Sequence, residues 1–280
     1  MLASSFLGAL NGSIAKVLSS SIPALEIVFF RNALGVLIIL AMLKHTPTKI
    51  DTANLPLLIL RGVFGFIAMF LFFYTITTIP LSDAITLNKT SPIFVALLAF
   101  LVLKESLNLY KITALLLGFL GVVFITNPSG VSFDFSYILG VVGGFFAAAA
   151  YTTIGKIKHI FDSRVIVLSF MGMGTLFPLV MFLLAPYLPT NPLIKEFILP
   201  TALSDVLLIA FMAITATLSQ WFLTKAYSAP NLSLVATISY SIIPFSVVFG
   251  FFLGDGLPSF LKVLGILFIV VAGILAKRGN

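Results

Sequence analysis

Apolar runs of about 17 to 25 residues, the length a helix needs to cross the hydrocarbon core of a bilayer, follow one another along this chain with only short polar interruptions. Ten such runs stand at 1–18, 23–43, 57–78, 82–103, 111–127, 137–157, 164–187, 204–226, 231–253 and 260–277. Together they leave no stretch over for a soluble domain. With 29 phenylalanines, 60% hydrophobic residues and a mean hydropathy of +1.19, the chain is too apolar to hide its side chains in a water-soluble core. Loops this short force the spans into a compact all-α bundle. The first run has neither a basic n-region nor a small-residue cleavage site, so it is expected to be a retained helix and not a signal peptide, with a short cytoplasmic lead ahead of it missing.

The net charge of +7 is explained by its placement and not by nucleic acid. With the N-terminus inside, one set of helix ends collects Lys44, Lys49, Arg61, Lys104, Lys111, Lys156, Lys158, Arg164, Lys225, Lys277 and Arg278, while the opposite set holds little beyond Lys195 and Lys262. Basic residues accumulate on the cytoplasmic side of membrane proteins, so both termini are expected there, in a bacterial inner membrane, with some attraction to anionic lipid. Zero cysteines exclude disulfides and thiolate chemistry. No metal-ligand cluster, phosphate-binding loop or nucleophile triad appears, which argues against an enzyme and against any cofactor.

Sliding the chain on itself by 152 residues aligns Pro92 with Pro244, Gly121 with Gly273, Ala84 with Ala236 and Val95 with Val247. A proline then falls near the middle of the fourth and ninth spans, where it removes a helix hydrogen bond and kinks the helix. Each unit, 1–130 and 131–280, holds five spans. Because five is odd, the second unit enters the membrane from the opposite side to the first. An inverted repeat of this kind places a binding site at the midplane between halves and supplies two nearly equivalent states for alternating access.

"FFRNALG" at 29–35, the stretch from Ile59 to Leu107 containing "IPLSDA" at 79–84 and "LKESL" at 103–107, and "GFLGVVFI" at 118–125 carry a family resemblance. They are similar to the EamA-like, ten-helix branch of the drug/metabolite transporter superfamily. The resemblance covers essentially the whole chain. It implies a transporter in which spans 1, 3, 4, 6, 8 and 9 line a central cavity and the 3–4 and 8–9 pairs rock to open either side. The second half departs from the pattern, since "FFLGDGLP" sets Asp255 two positions earlier than Glu105 of the first half.

Polar residues gather in a few spans: Thr86, Asn88, Lys89, Thr90 and Ser91 in the fourth, Thr215, Thr217, Ser219, Gln220 and Trp221 in the eighth, Thr237, Ser239, Tyr240 and Ser241 in the ninth. Confinement of polarity to some helices marks a wet interior. Lys89 stands out because a charge at the centre of a helix costs about 2.5 to 3.5 kcal/mol to insert unless it finds water, a partner or a route to the headgroups. Three- and four-residue spacing puts Thr86, Lys89, Thr90 and Ile93 on one face of a continuous helix. Trp221 and Tyr240 are candidates to stack on a flat or cationic moiety. Glu26, Arg31 and Asp83 are read as a gate or as interhelical ion pairs, Arg31 more as architecture than as a selector of substrate.

These features define a substrate site of Lys89, Thr86, Asn88, Thr90, Trp221, Gln220, Tyr240 and Ser241. The expected cargo is a small anionic or zwitterionic metabolite such as an amino acid or a derivative of one, S-adenosylmethionine included. A coupling proton or a counter-substrate and membrane lipid are the further partners, with oligomeric state open. Two rival readings are a proton-coupled exporter of hydrophobic cations working through Glu26 or Asp83, and a membrane scaffold or receptor that transports nothing.

Overall fold

The computed structural model describes residues 1–48, 51–79, 81–126, 135–187, 197, 199–254 and 257–278, without the side chains at 73, 76, 77, 81–83 and 186. The side chain of Asp83, and Lys195 and Asp255 altogether, therefore lie outside the described residues.

Every expected span is a helix or a pair of helices: α1 (Leu2–Leu18), α2 (Ala24–His45), α3 (Leu55–Thr78), α4 (Leu81–Asn88), α5 (Ser91–Leu103), α6 (Leu109–Thr126), α7 (Phe135–Ile157), α8 (Ser163–Leu184), α9 (Leu203–Tyr227), α10 (Leu232–Ser239), α11 (Ile242–Phe252) and α12 (Phe260–Arg278). Among the described residues nine segments are long and apolar enough to cross a membrane, α4 and α5 counting as one and α10 and α11 as another; α1 is apolar and slightly shorter. No strand occurs among them.

The two split spans break where the sequence puts its prolines. Pro92 has no N–H to give to the carbonyl four residues back, that of Asn88, and α4 stops there, turning through Lys89 and Thr90 before α5 begins at Ser91. Pro244 does the same to Tyr240, whose carbonyl accepts instead from Ile243 N at 3.0 Å. The expected kinks are therefore full interruptions, each lying just ahead of its proline.

Helix pairing follows small or apolar faces. α1 packs on α9 and α11, α7 on α3 and α5, α2 on α9 and α8 on α3, while α2 meets α8, α5 meets α10 and α6 meets α12. The α6–α12 crossing is backbone against backbone, since a Cβ on Gly121 or on Gly265 would stand 2.6 Å from the other's carbonyl oxygen. Gly273, the residue that the sequence offset matches to Gly121, has open space at its Cβ position. That identity is not mirrored in packing.

Consecutive spans alternate in direction, so Glu105, Lys158, Arg164 and Ala229 fall at one end of the bundle and Thr126, Pro258 and Lys262 at the other. The Glu105 end is closed. Its apolar plug joins Val95 and Ala99 of α5, Ile154 and Ile157 of α7, Ile166 of α8 and Leu232 and Ala236 of α10. Polar ties lie over the plug: Lys158 Nζ donates to Ala229 O at 3.2 Å, and Arg164 donates to Thr46 O at 3.0 Å. Two residues counted as end charges in the sequence are in fact buried, Arg61 at 1% exposure and Lys111 at 4%. Lys111 pairs with Glu105 at 3.3 Å. Among the described residues Arg61 has no such acid, and its burial sets it apart from the exposed charges at that end.

Candidate functional site

Behind the plug lies a chain of three adjoining cavities with Asn88 in the wall of each. The central one, 190 Å³, is lined by α1 (Ser4, Ser5, Asn11), α2 (Arg31, Asn32), Asn88 and Lys89, Tyr151 of α7, Met171 of α8, Ser219 and Gln220 of α9, and Ser239 of α10. A side chamber of 120 Å³ holds Arg61, Tyr151, Phe170 and Gln220. A vestibule of 620 Å³ runs from Lys89 past Thr126 and Ser246 to Pro258 and Lys262. Spans 1, 3, 4, 6, 8 and 9 all contribute, but they are not set apart as the family resemblance implies: spans 2 and 7 join them through Arg31 and Met171, and spans 5 and 10 through Thr126 and Lys262 of the vestibule.

The walls are held by hydrogen bonds that leave selected groups unused. Ser4 and Ser219 each donate to the other's carbonyl at 2.9 Å, bolting α1 to α9. Asn11 Nδ2 donates to Met212 O at 2.9 Å, which turns its Oδ1 towards Arg31 Nη1 at 3.5 Å. Arg31 also approaches the Met69 sulfur at 3.7 Å, and its Nε has no acceptor. The ammonium of Lys89, a half-buried residue, makes no hydrogen bond or ion pair among the described residues, and Lys89 lines the cavity just past the end of α4.

Four cationic side chains, Arg31, Arg61, Lys89 and Lys262, thus face connected space whose described walls carry no aspartate or glutamate. Such a site has a positive potential that concentrates anions. Buried cations without partners are costly in a bilayer and mark solute or ion pathways.

The expected site residues divide. Lys89, Asn88 and Gln220 come together on the cavity wall. The others named with them turn away. Thr86 is bonded to Thr126 of α6, and Thr90 donates to Leu87 O at 2.6 Å. The shared face expected for Thr86, Lys89 and Thr90 does not form as a binding surface, because α6 engages the Thr86 hydroxyl and the Thr90 hydroxyl turns back to Leu87 O against Gly144 of α7. Tyr240 is fully buried against Val122, Ile243 and Ile269, and Ser241 Oγ is buried without a partner. Trp221 stacks under Lys225 Nζ at 4.0 Å and packs beside Ile39 and Met171. Glu26 is buried in the first turn of α2 and lines none of the three cavities. Arg31, read from sequence as architecture, sits on the wall.

Sequence reasoning missed Arg61, Asn11 and Tyr151. Asn11 carried a signal, a lone amide within an apolar run. Arg61 lies near enough to a helix end to pass for an interfacial charge.

A bundle of apolar helices around a polar, cation-lined cavity open at one end and plugged at the other is an integral membrane transporter. The chain belongs to the EamA-like transporter family, whose family model matches residues 1–127. It is 31% identical over 265 residues to an uncharacterised transporter of Helicobacter pylori, covering 93% of this chain and 87% of that one. It is also 31% identical over 276 residues to the pseudopaline exporter CntI of Pseudomonas aeruginosa, covering 98% and 93%. A riboflavin transporter of Vibrio cholerae is 24% identical over 280 residues, covering 97% and 89%. A solved crystal structure superposes with a TM-score of 0.80 at 15% identity, over 100% of this chain and 98% of the other, which shows the shared fold. These named relatives are transporters and not enzymes.

Proposed function

We propose that this transporter carries a small polar metabolite bearing an anionic group, an amino acid or amino-acid derivative among the candidates, by alternating access across the bacterial inner membrane. The observation that carries the reading is Lys89: a lysine inside the membrane, without an acceptor of its own, on a cavity with no acid in its described walls. The missing partner is the solute. Thr86, Trp221, Tyr240 and Ser241, spent on packing, are set behind Asn88, Gln220 and Arg31 as contacts.

Helix pairing supports an inverted repeat, and with it the mechanism. Exchanging α1, α2, α3, α4/α5 and α6 for α7, α8, α9, α10/α11 and α12 turns the α1–α9 pair into α7–α3, α2–α9 into α8–α3 and α1–α11 into α7–α5, all of which occur. Swapping the conformations of the halves would close the Lys262 end and open the Glu105 end. The excess of lysine and arginine at the Glu105 end supports placing that end, and both termini, in the cytoplasm. The cation-lined wall favours anions over hydrophobic cations and counts against the sulfonium of S-adenosylmethionine. The relatives named as a pseudopaline exporter and a riboflavin transporter support an organic solute.

Thermal unfolding of the purified protein against amino acids, carboxylates, nucleosides, sugar phosphates and hydrophobic cations tests the reading. A ligand at 100 times its dissociation constant stabilises by about 2.7 kcal/mol. An anionic or zwitterionic solute that stabilises the wild type and not Lys89→Ala supports it. Stabilisation by cations alone, lost in Glu26→Gln and kept in Lys89→Ala, overturns it in favour of drug export.

A further inference from the structure

Arg61 is the most heavily buried cation among the described residues, at 1% exposure. Its Nε and Nη1 have no hydrogen-bond partner among the described residues; the guanidinium lies over the Phe170 ring, its carbon 5.0 Å from the ring centroid, and within electrostatic reach of Tyr151. The chain makes room for it. A Cβ on Gly65 would stand 2.5 Å from Arg61 Nη1, so the absence of a side chain one turn along α3 is what seats the guanidinium. Tyr151, stacked on Tyr227 at 4.7 Å, forms the opposite wall.

The chamber is not sealed from the Lys89 cavity, because Asn88, Tyr151 and Gln220 line both. Arg61 lies in the part of α3 towards the plug, and Lys89 follows the end of α4 that points into the membrane, about two turns in from the vestibule end of that helix. At a rise of 1.5 Å per residue the two backbones stand on the order of 10 Å apart along the membrane normal. A guanidinium presents a planar fork of donors that suits carboxylate or phosphate, and it keeps its charge where an ammonium loses it readily. A purely structural arginine at this depth would be expected to have an acid or several carbonyls on its fork, and among the described residues this one has neither.

We infer that the Arg61 chamber is a second anion subsite, so that the cargo is an elongated solute with anionic groups at both ends, one held by Lys89 and the other by Arg61. The inference rests on the reading of Lys89 as an anchor. It adds that one anchor does not suffice and that the distance between them selects cargo by length.

Binding of alkane-α,ω-dicarboxylates from succinate to sebacate, set against monocarboxylates of the same lengths, tests this by thermal shift in nanodiscs. The wild type is expected to hold the best dicarboxylate about tenfold tighter than its monocarboxylate, with an optimum at intermediate length. Arg61→Gln should cost the dicarboxylate about tenfold more than the monocarboxylate, bringing the two to a common level. Arg61→Lys should keep part of the preference. Terminal bisphosphates of matched length show whether phosphate serves as well. Equal binding of mono- and dicarboxylates by the wild type overturns the inference without needing any variant, as does an equal loss of both in Arg61→Gln. Monocarboxylate binding that depends on Lys89 leaves the single-anchor reading standing when the second subsite fails. Indifference of every anion to Lys89→Gln would sink both.

Discussion

Glu105 reaches from the loop after α5 into the first turn of α10, accepting the Leu232 N–H on Oε2 at 2.9 Å and the Ser233 hydroxyl on Oε1 at 2.7 Å. It thus serves as the cap of a helix in the other half of the chain, where a negative charge meets both the unsatisfied N–H groups and the positive end of the helix dipole. Lys104 enables the reach: left-handed at φ 57°, it ends α5 and lets the Glu105 N–H return to Ala99 O at 3.0 Å.

Glu105→Ala should cost about 3 kcal/mol, because it removes the cap and leaves Lys111, 5% exposed, as an unpaired charge. Adding Lys111→Met should restore part of the loss. Thermal unfolding of the two variants checks this, and a single variant no less stable than the wild type would show that the tie is ornamental.

Accessibility should differ between the two ends. The chain has no cysteine, so one introduced thiol reports alone. Ser246→Cys, on the vestibule wall, should react readily with a maleimide, whereas Val235→Cys, inside the plug, should be protected. Glu105→Ala in the Val235→Cys background should raise its labelling by weakening the closed end. Equal labelling of both thiols in the parent protein would contradict a one-sided cavity.

Tyr240→Phe separates packing from binding. The Tyr240 side chain is fully buried, and its hydroxyl has no hydrogen-bond partner among the described residues. Removing that oxygen should leave transport intact and raise stability by up to about 1 kcal/mol. A stacking role, expected from the sequence, would instead survive in transport only if the ring contacted cargo, so Tyr240→Leu gives the second readout: lost stability with unchanged affinity.

The spans were legible because hydrophobic length is a coarse signal that tolerates errors of a few residues: the run at 57–78 is α3, Leu55–Thr78. The prolines announced both interruptions, and Lys89 announced the cavity. What the sequence could not reveal is which way a side chain points once the helix carrying it is broken or buried on all sides. Thr86 and Lys89 are three residues apart on a helix that stays regular as far as the Lys89 N–H, which donates to Ile85 O at 3.0 Å, yet α6 engages Thr86 while Lys89 reaches the cavity, a difference set by the neighbouring helices. Arg61 passed for an end charge because distance from a helix terminus fixes depth but not the packing of α7 and α8 over it.

The Asp162–Arg164 pair predicts an acid limb in stability. Asp162 caps α8, accepting Arg164 N at 2.8 Å, and holds the same residue's guanidinium through two bonds of 2.9 Å. The guanidinium in turn ties α8 to the end of α2 through Thr46. Its hydrogen bond to Asp162 keeps that carboxyl below the usual 3.8. The unfolded chain therefore binds the proton first as the pH falls, and the stabilisation is present above 3.8 and lost as the pH drops through the lower folded value. Because the Asp162 side chain is 33% exposed, solvent screens the pair and its worth is about 1 kcal/mol at neutral pH. Asp162→Asn keeps a capping oxygen and removes the charge. It should be less stable than the wild type by about that amount at neutral pH, and the gap should close only below pH 3.8. A gap that persists unchanged into stronger acid would assign the loss to altered capping geometry instead of charge.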